Sequence, residues 1–156
     1  MRFGEFRYAG QKQREQFMKR YLIFAAVGPF LGGLLLLFAT TYTSGYWDQT
    51  NAAEVTKLFV VLGKTLQFAY LFGLVPALMM AAVDDILFHV RRIGWWGRML
   101  IVGVLAFAVS ELIYGGQRTD ASALQFILYG LPGFVPATVA SWLAHKYAEP
   151  RAVPAA

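Results

Sequence analysis

Four stretches without a single Asp, Glu, Lys or Arg constrain this chain more than anything else in it: Tyr21 to Trp47, Thr65 to Val83, Met99 to Ser110 and Ala121 to Ala144. A bilayer core of about 30 Å is crossed by roughly 20 helical residues, because only hydrogen bonds within the segment satisfy the backbone in lipid. Apolar residues make up 58% of the 156-residue chain and charged residues only 15%, well under the roughly 25% of a soluble domain. The expected fold is therefore all-α: a polytopic integral membrane protein with four transmembrane helices, at about residues 21–42, 58–83, 96–114 and 122–142. Residues 1–20 form a basic N-terminal tail, 21–147 the membrane domain and 148–156 a Pro- and Ala-rich tail expected to be disordered. No connecting loop is long enough to hold a soluble catalytic or nucleic-acid-binding domain.

The first apolar run is longer than a signal-peptide core and is followed by no A-x-A site, so it is expected to remain as a span. The net charge of +5 does not point to nucleic acid, because the basic residues flank apolar runs, where they set topology. Six precede the first span (Arg2, Arg7, Lys12, Arg14, Lys19 and Arg20), and Arg91, Arg92 and Arg98 fall between the second and third. Lys146 and Arg151 follow the fourth, whereas the other two loops carry only Lys57 and Arg118. The positive-inside rule then puts both termini and the middle loop in the cytoplasm, as an even number of spans requires. The expected location is the bacterial inner (plasma) membrane. Trp47 falls at the expected outer interface, and Trp95, Trp96 and Trp142 at the inner one, as an aromatic belt would have it.

Spans two and four echo each other at an offset of 60 residues, Gly73-Leu74-Val75-Pro76-Ala77 against Gly133-Phe134-Val135-Pro136-Ala137. The register continues as a small-residue stripe, Gly73, Ala77 and Ala81 in one and Gly133, Ala137 and Ser141 in the other. Gly28 and Gly32 add a G-x-x-x-G pair in span one. Small residues one turn apart let helix backbones approach, which drives association where lipid offers no hydrophobic gain. In transporters, Gly/Pro-interrupted helices in two repeats can also mark a substrate site.

Glu111 is the sharpest single residue, since an ionisable side chain within a span is costly and is a functional candidate by default. Lys64 lies at a similar depth in span two, with Gln67 and Gln125 in the same outer half, which together make a candidate polar cluster. Snorkelling of Lys64 to the headgroups is the simpler account of that residue. On the cytoplasmic side, Asp85 and His89 share a helix face at i, i+4, the spacing two metal ligands need, and His145 and Glu149 repeat it. These four are the only candidate metal ligands. The adjacent Asp84 and Asp85 lack the further acid, at Phe88, of a D-D-x-x-D motif. With no cysteine there are no disulfides or thiolate sites, and no catalytic or cofactor-binding motif is present.

The expected role is thus non-enzymatic, with no cofactor and no nucleic acid. The chain would act as an accessory, assembly or stabilising subunit of a membrane complex, or as a homo-oligomer, with the lipid bilayer and a membrane-protein partner as its contacts. A small proton- or ion-coupled carrier or channel using Glu111 and proline-broken spans two and four is the alternative. The topology has a direct check. Reporter fusions at Asn51 and Arg118 should read as external and those at Gly94 and Pro150 as internal, and alkaline-phosphatase activity from a Gly94 fusion would sink the four-span arrangement.

Overall fold

The computed structural model describes residues 3–49, 51–90, 92–116 and 123–149, with side chains from residue 14 onward apart from residue 49. It is all-helical. Helix α1 runs Phe3–Thr43, α2 Ala52–His89, α3 Trp95–Ser110 and α4 Ala123–Tyr147. A π-helical turn, Glu111–Gly115, continues α3. All four helices, α3 together with its π turn, are long and apolar enough to cross a membrane. The chain is a membrane-type helical bundle.

The helices outrun the apolar segments. At 1.5 Å per residue α1, with 41 residues, is about 60 Å long, twice the bilayer core. Residues 3–20 are thus not a separate tail: α1 passes through them without interruption. Their Glu, Gln, Lys and Arg are good helix formers, and Glu15 and Lys19 form an i, i+4 ion pair at 2.6 Å. Helix α2 likewise begins six residues before the apolar segment at Leu58. Its start is fixed by Asn51, whose side chain accepts the Glu54 amide at 3.1 Å. The C-terminal boundary also moves. Ala148 donates its amide to Ala144 and is buried, and Glu149 is drawn into the bundle end, so 148–149 are ordered parts of the fold. Residues 150–156 of the expected tail lie outside the described residues.

A compact cap joins α1 to α2. Gly45, at φ +73°, turns the chain where a side chain would be strained, and a 3₁₀ turn, Tyr46–Gln49, follows. Trp47 donates its indole N–H to Thr41 at 3.1 Å and stacks on Phe38, while the Tyr46 hydroxyl bonds the Glu54 carboxylate at 2.9 Å.

Helix α1 packs along both α2 and α4, α3 packs chiefly on α4, and α2 meets α3 over a much shorter stretch. The core is thin and made of small residues: Ala81, Val102, Ala106, Ala137, Ala140 and Ala144, closed by Phe24 and Met80. Large apolar side chains such as Leu71, Phe72 and Leu112 point outward instead. In water they would form an untenable patch, whereas in lipid they face their own solvent.

The glycines sit where helices cross. A Cβ on Gly28 would lie 2.8 Å from the Ala77 side chain, and one on Gly73 3.3 Å from Pro29, both across the α1–α2 contact. Across α3–α4, Gly103 faces Thr138 and Phe134, and a Cβ on Gly133 would collide with the Ala106 carbonyl. Pro29, Pro76, Pro132 and Pro136 all lie inside uninterrupted helices. Spans two and four are therefore not broken at their prolines, contrary to the carrier-like expectation.

Glycine-to-alanine substitutions should change sign with position. Gly63 has open space around it, so Gly63→Ala should gain up to about 1 kcal/mol of helix propensity. Gly133→Ala should instead lose about 1–3 kcal/mol through overpacking. Thermal unfolding in detergent micelles would register this as a raised Tm for the first and a lowered Tm for the second.

Candidate functional site: a four-charge ring at one end of the bundle

Four charged side chains from four parts of the chain converge at the end of the bundle where α1 enters it. Arg20 comes from α1, Asp84 from α2, Arg98 from α3, and Glu149 from just beyond α4. They alternate in sign around a closed ring. Arg20 Nε lies 3.4 Å from Asp84 Oδ2, and Asp84 Oδ1 lies 3.1 Å from Arg98 Nε. Arg98 Nη2 pairs with Glu149 Oε1, and the same oxygen lies 3.3 Å from Arg20 Nη2. The Asp84 side chain is completely buried, and the two arginines are only 4% exposed, so these pairs lie away from the screening that weakens surface ion pairs.

Neutral and aromatic groups complete the site. Ser141 donates to Asp84 Oδ1 at 2.5 Å, and Asp85 takes a second edge of the Arg20 guanidinium at 2.5 Å. His145 Nδ1 is 2.6 Å from Glu149 Oε2, with its ring stacked on Trp95. Both guanidiniums sit near the face of Phe88, at 4.5 Å for Arg20 and 5.4 Å for Arg98. Such contacts favour arginine, whose planar cation is weakly hydrated and pairs with carboxylate and aromatic groups alike.

What this arrangement can do chemically is hold helices together. Two cations and two anions make a neutral ring, and each ring carboxylate is already engaged by both guanidiniums. Burying such charges is expensive, and the cost is recovered only while every partner is present.

The metal-ligand candidates are used differently here. His89 Nδ1 bonds the Asp85 carbonyl oxygen at 2.8 Å, Asp85 binds Arg20, and Glu149 is shared between His145 and the arginines. Among the described residues no group of three or more His, Asp and Glu side chains is disposed to hold a metal ion.

The expected polar cluster does not assemble either. Lys64 and Gln67 are exposed on α2, and no ion pair joins Lys64 to Glu111. Gln125 is half-buried at the start of α4. Glu111 opens the π turn, with its carboxylate folded over Gly115 and one oxygen, Oε1, buried without a hydrogen bond. Similar depth did not bring Lys64 and Glu111 together, because α2 makes so little contact with α3.

The small-residue positions behave otherwise. Gly28, Gly32, Gly73, Pro76, Ala77, Gly133, Pro136 and Ala137 all border one interhelical cavity of about 430 Å³. Ala81 and Ser141 lie below it, fully buried beside the ring. Each echoed glycine touches the helix before its own, Gly73 on α1 and Gly133 on α3.

Three ring members, Arg20, Asp84 and Arg98, were not singled out as site residues by sequence. A signal was present: each of the four helices carries a charge near the same end of its apolar run, and the four charges cancel.

Removing one ring member should cost more than removing an opposed pair. Arg98→Met leaves Asp84 and Glu149 short of a cation and should destabilise the fold by about 3–5 kcal/mol. Adding Asp84→Leu leaves Arg20 with Asp85 and Glu149, and should recover part of that loss. Unfolding midpoints of the two variants in the same detergent decide the matter; a double variant no more stable than the single one would mean that the ring is not an energetic unit.

No curated protein and no solved structure matches the chain. A family model does match, over residues 18–150, a segment that begins two residues before Arg20 and ends one after Glu149. The chain thus belongs to the family described as a family of unknown function, DUF5413.

Proposed function

We propose that the protein is a small non-enzymatic integral membrane protein of the bacterial inner membrane, with both termini cytoplasmic. In this reading it is an accessory, assembly or stabilising subunit of a larger membrane complex, or a homo-oligomer. The observation that carries the reading is the closed ring. Its buried charges are spent on one another, so they serve the cohesion of the bundle rather than a substrate. Helix α1 adds a handle. It continues for some 17 residues beyond Arg20 toward the N-terminus, about 25 Å of helix, from a base fixed by two arginine-bearing helices.

A small proton- or ion-coupled carrier is the second reading. Gly73, Pro76, Gly133 and Pro136 line one cavity, which is the observation in its favour. Against it, no charged side chain borders that cavity, and Glu111 lies outside its lining.

Purification in a mild detergent followed by mass spectrometry of co-purifying proteins tests the first reading. A partner at fixed stoichiometry or a discrete homo-oligomer is the expected result, and a lone monomer would overturn it. Glu111→Gln separates the two readings. The subunit reading expects partner or oligomer recovery to persist and proteoliposomes to show no Glu111-dependent flux, whereas pH-dependent flux abolished by Glu111→Gln would establish the carrier. Lys64→Gln, on an exposed face, should shift stability by no more than about 0.5 kcal/mol.

A further inference from the structure

The interhelical cavity is a long slot with one closed end. Its lining on α1 runs from Phe24 to Thr40, about 24 Å along the helix axis. A volume of about 430 Å³ drawn out over that length is a narrow channel rather than a round chamber. At the Arg20 end it stops on Phe24, Met80 and Ala137, each buried and each one helical turn from a member or direct partner of the charge ring. At the Trp47 end it reaches Thr40, Thr65 and Tyr114. Sideways it faces the gap left where α2 and α3 scarcely touch, and Phe68 and Phe72 on its α2 wall are exposed.

Water is a poor occupant. The few hydroxyls on the lining are already committed: Thr40 to Leu36 and Leu37, Thr65 to Val61 and Leu62, and Ser110 to the Tyr129 carbonyl at 2.7 Å. A buried water needs two to four free polar partners. An empty slot is no better, because its walls would forfeit dispersion contacts along their whole length. What fills it must be hydrocarbon.

The length of the slot selects the hydrocarbon. A chain of an ordinary two-chain lipid reaches only to the bilayer midplane, about 15 Å, or half the core. Entering from the Trp47 end, it would leave the inner part of the slot unfilled, and the ring closes the other end to lipids from the opposite face. A tail that continues past the midplane fills the slot to its floor. We infer that the cavity bounded by Phe24, Met80, Thr40, Thr65 and Tyr114 is a binding site for the tail of a long-chain isoprenoid lipid, with the head of that lipid at the Trp47 end.

The test uses the full-length protein in phosphatidylcholine vesicles, with a photoreactive long-chain polyprenol as the probe. Cross-links should map to α1 and α2 peptides bordering the slot, including the deep positions near Phe24 and Met80. Excess unlabelled polyprenol should abolish them, and added dioleoyl phosphatidylcholine should not. Thr65→Trp, which fills the mouth at an exposed position, should lose the labelling, whereas Leu71→Trp on the outward face of the same helix should keep it. If Thr65→Trp does not fold, Ile113→Trp on the α3 lip makes the same comparison. Competition by dioleoyl phosphatidylcholine as strong as that by polyprenol would overturn the assignment in favour of ordinary acyl chains. Labelling confined to the outer surface, or unchanged in both mouth variants, would overturn it outright.

Discussion

The alternating contact of Arg20, Asp84, Arg98 and Glu149 is the interaction on which the rest of the bundle depends. In lipid, apolar side chains gain nothing by leaving their surroundings, so glycine and alanine crossings supply close contact but little discrimination between one helix and another. Charges do discriminate. Each ring member comes from a different part of the chain, and neighbours around the ring are opposite in sign. Sliding any helix by a turn would carry its charge about 5.4 Å out of place and strand the others in a medium that does not solvate them. The ring therefore fixes the relative height of the helices, and the small-residue crossings above it fix how closely they lie.

The broad plan was legible because it follows from the bilayer. Four uncharged runs imply four helices, and the spacing of Gly28, Gly73 and Gly133 anticipated close crossings that the structure places on α1–α2 and α3–α4. The helix ends were not legible. Hydropathy measures where a helix suits lipid, not where it stops, so α1 and α2 continue through polar residues that remain good helix formers. Arg20 and Arg98 were read as topology markers because a basic residue at the end of a span already has that explanation. Only packing shows that these two turn inward while Arg14 and Lys19 do not. Lys64 and Glu111 failed in the opposite way. Equal depth is one coordinate, and the divergence of α2 from α3 separates them in the other two.

The prolines show how local and global preferences were reconciled. Proline removes the amide that would serve the carbonyl four residues earlier, so Pro136 leaves the Pro132 carbonyl without its usual donor. Gly32 of α1 packs there: a Cβ on it would lie 3.2 Å from that oxygen. A neighbouring backbone thus covers the polar atom that the proline frees, and α4 runs straight on. The G-x-x-x-G pair on α1 serves two partners, since Gly28 meets Ala77 on α2 and Gly32 meets α4. That makes α1 the spine between the two otherwise separate walls of the slot.

Because the ring joins residues 129 apart in sequence, the order of synthesis matters to it. Arg20 enters the membrane interface first, and Asp84 and Asp85 give it partners once α2 follows. Arg98 then arrives and must share Asp84. Only with Glu149, at the far side of the last helix, does the number of ring anions equal the number of ring cations. A chain stopped short of that residue would hold two buried guanidiniums against one shared aspartate and its half-exposed neighbour. The bundle consequently carries its own signature of completion: the charge that closes it is supplied by the last turn to emerge, and a truncated copy is distinguished from a finished one by an unbalanced cation at the membrane boundary.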